Sequence, residues 1–563
     1  MLRRRAIKIF LYILAGFLLV ISGLYIYFRI VTKVDEPEIE GLQQISMERV
    51  SSGPDEYSCT HGYIRKVREG WWEMHLKGSP FEIGFAHGLL TRELMADQER
   101  AFLERLGELI PSKFYQRFML GFVRYFNRNL EEYIRPEYQE EIFGISQFAS
   151  PEFGFMGPAY ARMLNYHAAH DLGHAVQNMN LVACTAFATW KSKSADSGLI
   201  VGRNFDFFIN GDFAKDKILC FIEPDSGYSF VMVTWAGFAG VVSGMNEKGL
   251  TVTLNAAKSS IPMGAKTPVS LLAREILQYA SNIEEAYRIA QSRQTFVAES
   301  FFIGSAADHK AVVIEKSPED IDIYDPDTNF VIVTNHFQSN TFLRDPLNLE
   351  NMQNETSIYR HERMRELVND NAPIDPGIAA AFLRDYKGLE EKEIGLGNEK
   401  AVNQFIAHHS VIFQPEKRRI WIAGPPWQLG QYWAYDVDTV FGADGNHGGV
   451  DNDGGIGNDC RDAKFCVSTG TGMAIPADTL QLATIYPNLQ KYRSLASRIE
   501  SGEFPPGAAD SLIKFNPEYF HTYRILGDYF KTKGQKNKAE DYYRIALEKE
   551  APSAGDREAV IGH

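Results

Sequence analysis

The chain has 563 residues, of which 45% are hydrophobic and 23% are charged, and its formal net charge at pH 7 is −14. This length exceeds that of one ordinary domain, and the composition is typical of a folded globular protein. The acidic excess leaves no large basic surface, which argues against a nucleic-acid partner. Five cysteines in this length do not make a disulfide scaffold.

The amino terminus carries a candidate membrane anchor. Three arginines at positions 3–5 precede an apolar run from Ile9 to Tyr27, which is long enough to cross a bilayer as a helix. More cations precede the run than follow it, so we expect a single-pass anchor with a cytoplasmic amino terminus. A cleaved signal peptide is the alternative, although the run is long and no clear cleavage site follows it. With the anchor in the expected orientation, the body of the protein would lie outside the cytoplasm, in the periplasm or the extracellular space.

The first third of the chain is expected to be an anchor, a linker and a helical layer. Residues 1–33 are the stub and anchor, residues 34–69 are rich in Glu, Pro, Ser and Gly and predict a linker, and residues 70–183 are mostly helical. Apolar residues at helical spacing from Phe118 to Phe126 predict a helix of the core. His167, His170 and His174 would share a helix face and could bind a metal. Nothing else supports such a site, so we expect a packed or solvated face and no metal.

The central stretch predicts a β-hairpin. A strand over residues 182–190 is followed by a polar turn, and Leu199 opens the second strand. Cys184 begins the first strand, whereas Arg203 and Asp206 end the second. A thiol, a cation and a carboxylate can then meet at one end of a rigid sheet, where the cation favours thiolate and the carboxylate holds a protonated amine.

The elements after the hairpin predict an α+β fold. Strands and two helices alternate up to about residue 440, with these boundaries: strands 217–223, 229–236, 241–256, 300–304, 311–316, 321–324, 329–334 and 417–423, and helices 268–279 and 283–291. Two sheets between helical layers would accommodate this order.

Several motifs in this region together resemble one enzyme family. They are Cys184-Thr185-Ala186, the segments 202–206 (GRNFD) and 244–250 (GMNEKGL), and Thr334-Asn335-His336; residues 78–88 (GSPFEIGFAHG) match independently. The chain resembles the cysteine branch of the N-terminal nucleophile hydrolases. More narrowly it resembles the penicillin acyltransferase-type (acyl-CoA:6-aminopenicillanic acid acyltransferase-like) autoproteolytic enzymes, which are related to choloylglycine hydrolases and acid-ceramidase-like amidases.

The resemblance implies a four-layer αββα core and self-cleavage between Ala183 and Cys184. The thiol of Cys184 would attack the carbonyl of Ala183, and hydrolysis would free the α-amino group of Cys184 as the general base. Arg203 would stabilise the thiolate and Asp206 would orient the ammonium group. The catalytic chain would comprise residues 184–440, and no cofactor is implied.

Three further residues are implied to support the site. Asn335 and Asn255 lie where related families have oxyanion-hole asparagines, and Arg360 belongs to a late Ser-x-x-Arg segment and would brace the site. The alternatives are a buried structural Cys for Cys184, ordinary turn chemistry for the asparagines and a helix-face cation for Arg360.

The carboxy-terminal part is expected to be a loop followed by helices. Residues 441–478 are rich in Gly, Asp and Asn and predict a surface loop. Asp451, Asp453 and Asp459 do not have EF-hand spacing, and pairing of Cys460 with Cys466 stays open. Residues 479–563 predict helices, and one set of positions resembles a single tetratricopeptide repeat: Tyr523, Leu526, Gly527, Phe530, Ala539, Tyr543, Ala546 and Pro552. One repeat cannot bury its own face, so we expect it to pack on the preceding helices or on the catalytic body, with a protein partner as an option.

Together these features predict a membrane-anchored, self-processing amidohydrolase or acyltransferase that cleaves the C–N bond of a small acyl-amide through a Cys184 thioester. Hydrolysis and acyl transfer share this intermediate, so the sequence does not distinguish between the two reactions. A choloylglycine or N-acylethanolamine type hydrolase is an alternative. Trp235 and Phe238 would suit an apolar acyl chain, and they suit a hydrophobic core equally. A non-catalytic envelope protein that uses its helical tail for interactions is another.

Overall fold

The computed structural model describes residues 2–39, 47–175, 183–207, 211–258, 264–442 and 473–562. Two β-sheets form its centre. The larger has eleven strands, in the spatial order β1 (Val50–Gly53), β2 (Glu56–Cys59), β3 (Gly62–Arg68), β4 (Trp71–Gly78), β7 (Lys217–Pro224), β8 (Phe230–Thr234), β9 (Ser243–Asn246), β10 (Leu250–Ala256), β11 (Glu299–Ser305), β12 (Lys310–Lys316) and β13 (Ile321–Tyr324). Neighbouring strands in it are antiparallel except for β4 and β7, which are parallel.

The smaller sheet has six antiparallel strands. Their spatial order is β14 (Phe330–Val333), β5 (Thr185–Thr189), β6 (Ile200–Phe205), β15 (His409–Gln414), β16 (Arg419–Ala423) and β17 (Tyr432–Asp436). The predicted hairpin is the β5–β6 pair, with Thr185 opposite Asn204 and Ala186 opposite Arg203. Every residue of both strands is buried, as expected for strands covered on both faces.

Most helices of the body lie on the outer faces of the two sheets, whereas the last, with Val437 and Phe441, packs into the apolar cluster between them. The body helices are α2 (Pro80–Leu109), α3 (Lys113–Phe126), α4 (Pro136–Ser146), α5 (Ala159–Ala175), α6 (Val269–Tyr279), α7 (Ile283–Ser292), α8 (Pro346–Asn354), α9 (Ser357–Asn371), α10 (Pro376–Leu383) and α11 (Val437–Phe441). One apolar cluster joins the larger sheet to α2, α4, α5, α6 and α7, and another joins the smaller sheet to α9 and α10. A third fills the space between the sheets, so the layers run helix, sheet, sheet, helix.

One face of α2 is tightly packed against α4. The helix begins with Ser79, whose backbone N–H and hydroxyl both donate to Glu82, at 2.8 and 2.7 Å. A Cβ atom at Gly84 would lie 1.9 Å from the carbonyl oxygen of Glu141 on α4. Only glycine therefore allows these two helices to approach so closely.

Two expectations for the amino-terminal third are wrong. The linker predicted over residues 34–69 contains β1, β2 and β3, which extend the edge of the larger sheet. These strands are half-exposed and rich in Ser, Glu and Gly, so their composition is that of a linker. The helix at Phe118 to Phe126 exists as part of α3, but Phe118 and Phe122 are exposed rather than in the core.

The first helix, α1 (Leu2–Val31), includes an apolar segment, Ile7–Val31, which is long enough to cross a membrane. A signal sequence at an amino terminus has the same character. Its topology and the side of the membrane on which the body lies stay predictions.

The carboxy-terminal helices dock on the body that the two sheets form. They are α12 (Thr479–Glu500), α13 (Ala508–Phe515), α14 (Phe520–Thr532), α15 (Lys536–Glu548) and α16 (Ala554–Ile561). The side chain of Asn516 exchanges two hydrogen bonds with the backbone of Leu396, at 2.8 and 2.9 Å. The carboxylate of Glu550 forms ion pairs with Lys392 and Lys400. The structure shows α14 packed on α15, and assignment of this pair to the tetratricopeptide repeats stays a prediction.

Some sequence-based expectations fall outside the described residues. These are the candidate calcium ligands Asp451, Asp453 and Asp459, the pair Cys460 and Cys466, and the side chains of His170 and His174. Within the described part of the chain, no group of three or more His, Cys, Asp or Glu side chains is arranged to hold a metal ion.

Candidate active site

Cys184 lies immediately before β5, with its side chain fully buried. Its Sγ atom is 3.6 Å from Nη2 of Arg203, which comes from the partner strand β6. Burial raises the pKa of the Cys184 thiol to about 11, and the positive charge of Arg203 opposes that shift. In the continuous chain the thiol is therefore protonated at neutral pH, beside a cation that favours its ionisation.

Several acceptors fix the guanidinium group of Arg203. It donates to the backbone carbonyls of Val242 and Leu254 and to the hydroxyl of Ser243, and it lies 4.5 Å from the ring centroid of Phe205. Burial lowers the pKa of Arg203, while the Cys184 thiol and nearby carboxylates raise it. With its orientation fixed, the group presents an N–H to the thiol without reorganisation.

A buried histidine pair continues this hydrogen-bond network. His409 Nε2 is 2.8 Å from the hydroxyl of Ser243, and His409 Nδ1 is 2.9 Å from Nδ1 of His408. Burial lowers the pKa of His408 to about 3 and that of His409 well below its usual value, so both rings are neutral. The sequence analysis singled out neither these histidines nor Ser243. The bond between His409 and Ser243 joins the two sheets, and spacing along the chain gives no signal for it.

Asp206, which follows the end of β6, holds the residue before Cys184. Its backbone carbonyl accepts a hydrogen bond from the backbone N–H of Ala183 at 3.1 Å. Both oxygens of its carboxylate are buried, and neither receives a hydrogen bond from a described residue. Burial raises the pKa of the Asp206 carboxyl to about 7, and the charges of Arg360 and Arg203 oppose this. The Asp206 carboxylate is therefore free to accept hydrogen bonds from a cationic group that enters the site.

Arg360, on α9, contacts the peptide groups on both sides of Cys184. Its Nη1 donates to the carbonyl oxygen of Ala183 at 3.1 Å, to that of Cys184 at 2.6 Å and to the hydroxyl of Thr185 at 2.8 Å. Its Nη2 donates to the side-chain oxygen of Asn335 at 2.7 Å. Burial lowers the pKa of Arg360 to about 10, so it stays a cation at neutral pH.

The two asparagines differ in the donors they have left. Asn335 Nδ2 donates to the carbonyl of Ala256 at 2.9 Å, which leaves its second N–H available. Asn255 Nδ2 donates to the carbonyls of Val333 and Thr334, at 3.3 and 3.2 Å, and both of its N–H groups are then used. Of the two, Asn335 is therefore the better placed to serve an oxyanion.

The sequence analysis did not single out Glu299. This residue begins β11 and is fully buried, and burial raises the pKa of its carboxyl well above its usual value. Asp171 adds to the shift and Arg203 opposes it. Glu299 in turn raises the pKa of Cys184. An acidic residue at the start of an apolar strand was the only signal in the sequence.

An apolar cavity lined largely by aromatic side chains lies beside this cluster. Phe207 lines it and stacks on Phe205, with ring centroids 5.5 Å apart, so the cavity wall is continuous with the ring under Arg203. The two aromatic residues expected to suit an acyl chain, Trp235 and Phe238, also line it and stack at 4.2 Å. Buried Glu99, paired with Arg162 at 2.6 Å, forms part of another wall.

Comparison with known proteins gives the family context. Residues 190–425 match the model of the acyl-coenzyme A:6-aminopenicillanic acid acyl-transferase family. The match begins after Cys184 and includes the other residues singled out above: Arg203, Asp206, Asn255, Asn335 and Arg360.

Two relatives match over less than half of this chain. An uncharacterised protein of Archaeoglobus fulgidus is 27% identical over 259 residues, which cover 43% of this chain and 42% of the relative. Protein dcd1B of Dictyostelium discoideum is 23% identical over 276 residues, which cover 46% and 52%. The chain thus spans about half the length of the curated relatives it matches.

Solved structures of an amidase and a hydrolase also align with the chain. One is a Caenorhabditis elegans N-acylethanolamine-hydrolyzing acid amidase ortholog, with 19% identity and a TM-score of 0.30 over 41% of this chain and 93% of the other. The other is a variant of a conjugated bile acid hydrolase from Clostridium perfringens, with 15% identity and a TM-score of 0.31 over 45% and 92%. Likeness at these TM-scores carries no conclusion about this chain.

Proposed function

We propose that this protein is a self-processing cysteine N-terminal nucleophile enzyme that hydrolyses or transfers the acyl group of a small acyl-amide. One observation carries the proposal. Ala183, the residue before Cys184, is held at both of its backbone polar groups. Its N–H donates to the Asp206 carbonyl and its carbonyl oxygen accepts from Arg360, beside a thiol 3.6 Å from Arg203.

Self-processing begins with attack of the Cys184 sulfur on the carbonyl carbon of Ala183. Arg360 already donates to that carbonyl oxygen, so it would stabilise the oxyanion as the C–N bond breaks and the thiol proton moves to the departing amine. Water then hydrolyses the thioester, which restores the thiol and leaves Ala183 with a carboxylate. Residues 70–183 would form the amino-terminal chain and residues 184–440 the catalytic chain.

The released amine explains the arrangement around Asp206. The new α-amino group of Cys184 would lie near a carboxylate that has no hydrogen-bond donor from the described residues. An α-amine has an ordinary pKa of about 8, so it can exchange protons with the thiol near neutral pH. Asp206 would orient it, Arg203 would favour the thiolate, and the spare N–H of Asn335 would help hold the oxyanion of the substrate.

Substrate recognition follows from the cavity. Its aromatic lining supports an apolar acyl group, and the rings of Phe207 and Phe205 connect it to Arg203, which contacts the thiol. We further propose that α1 anchors the enzyme with its amino terminus in the cytoplasm and its body outside, and that no cofactor takes part.

The test of this function is amide turnover by the purified protein. Acyl-aminomethylcoumarins of increasing acyl length should release the amine, and added hydroxylamine should divert part of the acyl group to a hydroxamate. Hydroxamate formation would assign acyl-transfer ability, whereas fatty acid alone would assign hydrolysis. No release of amine from any member of the series, by a chain whose Cys184 is exposed as a new amino terminus, would contradict the proposal.

The cavity makes a prediction about selectivity. Replacing Trp235 with alanine removes an aromatic wall, and the lost contact is expected to cost about 1–3 kcal/mol in transition-state binding of long acyl chains. We expect kcat/KM to fall by about tenfold to a hundredfold for long chains and little for acetyl. Trp433→Ala, outside the cavity, is the matched control. An equal loss for both chain lengths would show that Trp235 acts on the fold instead.

The pKa of Cys184 predicts how self-processing depends on pH. The thiol pKa is about 11 in the continuous chain. At pH values below 11, the thiolate fraction therefore rises about tenfold for each unit by which the pH increases. Processing should therefore accelerate from pH 6 to pH 9. The measurement is the mass of newly synthesised chain over time after a shift to each pH. A rate that falls as the pH rises would show that attack by the thiolate is not the limiting step.

A further inference from the structure

The helix α3 presents an aromatic face that no other described part of the protein covers. Phe114, Phe118 and Phe122 recur every four residues and so lie on one side of the helix; their exposed fractions are 82%, 59% and 50%. Tyr115 and Tyr125 are exposed beside them. An apolar patch of this kind on a folded protein marks an interaction surface.

The same helix is strongly cationic. Residues 113–128 contain Lys113, Arg117, Arg124 and Arg128 and no acidic residue, in a chain whose overall charge is −14. Aromatic residues on one face, with Lys and Arg around them, are typical of helices that lie in the interface of a membrane rather than across it.

The position of α3 relative to α1 indicates what would cover the aromatic face of α3. Phe28 lies near the end of the apolar segment of α1, and its ring is 4.0 Å from where a Cβ at Gly121 would be. The guanidinium of Arg124 lies 5.8 Å from the centroid of that ring. The aromatic face of α3 is therefore beside the point where α1 would leave the hydrocarbon layer.

We propose that α3 docks on the lipid bilayer that α1 crosses, with its aromatic face among the acyl chains and its cations at anionic headgroups. The proposal rests on α1 as the anchor and is independent of the chemistry at Cys184. It also gives amphiphilic substrates a short route to the enzyme. The helix α2, whose Phe102 lines the apolar cavity, ends at Leu109 just before α3 begins.

The test uses the full chain in nanodiscs that contain phosphatidylcholine and phosphatidylglycerol. Single cysteines replace Phe118, Phe122, Leu18 or Leu480, in a background with Cys460→Ser and Cys466→Ser, and each carries an NBD fluorophore. Leu18 lies within α1, whereas Leu480 is an exposed apolar residue of the tail helix α12. The three described cysteines, Cys59, Cys184 and Cys220, are buried, and the unsubstituted background gives their residual labelling.

We expect NBD emission at positions 118 and 122 to shift to the blue and to be quenched by lipids with a shallow doxyl group. The probe at position 480 should show neither change. Quenching at position 18 but not at 118 or 122 would overturn the proposal, as would a blue shift at 118 and 122 without quenching, because protein would then cover the face. Absence of quenching at position 18 would remove the anchor and the proposal together. The readout needs no enzyme activity, so it is unaffected if the proposed reaction is wrong.

Discussion

Replacing Cys184 with alanine is expected to leave the chain uncut and to abolish amide turnover. The sulfur is the only atom of this residue that can form the thioester, and loss of a catalytic nucleophile costs about a million-fold in rate in comparable enzymes. Intact mass reports the processing, and release of the fluorescent amine reports the turnover. The buried thiol contributes little packing that alanine does not replace, so the fold should persist.

The matched control for this variant is Cys59→Ala. Cys59 is also a buried free thiol followed by threonine, but it lies in β2 at the edge of the larger sheet. Its variant should be processed and active. A Cys184→Ala protein that is cut at the same bond would place the nucleophile elsewhere and end the proposed mechanism.

The second large effect is expected for Arg360→Met. This change removes the donor to the carbonyl oxygen of Ala183, and loss of one such donor in an oxyanion site lowers rates by about a hundredfold to a thousandfold. We therefore expect processing, followed by intact mass over time, to slow by that factor. Arg360→Lys keeps the charge but has one donor position instead of a fork. Its processing rate should therefore lie between that of the wild type and that of Arg360→Met.

The control for Arg360 lies on the same helix. Arg365→Met removes an exposed cation whose recorded ion pair is with Glu362 on the same helix, and its processing should match the wild type. Circular dichroism compares the folding of the three variants. If Arg360→Met is folded and is cut at the wild-type rate, Arg360 has no part in stabilising the oxyanion.

The local elements of the site could be predicted, because each left a local pattern. The β5–β6 hairpin has apolar strands and a polar turn. Its register sets Ala186 opposite Arg203, and the Arg203 side chain then reaches the Cys184 thiol. Arg360 lies far along the chain, and only the resemblance to a family indicated that it belongs near Cys184. Its contact with Ala183 depends on how α9 packs on the smaller sheet, which periodicity does not specify.

Three features could not be predicted, for physical reasons. The edge strands β1 to β3 are half-exposed, so they lack the apolar alternation that marks a buried strand. The apolar period of α3 predicts a helix with one apolar face, but it does not say whether protein or lipid covers that face. The bonds from Ser243 to Arg203 and His409 join strands of two different sheets, and no spacing in the sequence encodes them.

The most direct test of the central claim is amino-terminal sequencing of the purified wild-type protein, together with its intact mass. The account predicts a new chain that begins Cys184-Thr185-Ala186 and an amino-terminal fragment that ends at Ala183. A single continuous chain with full amide turnover would contradict it, because the α-amino group that serves as the general base would not exist.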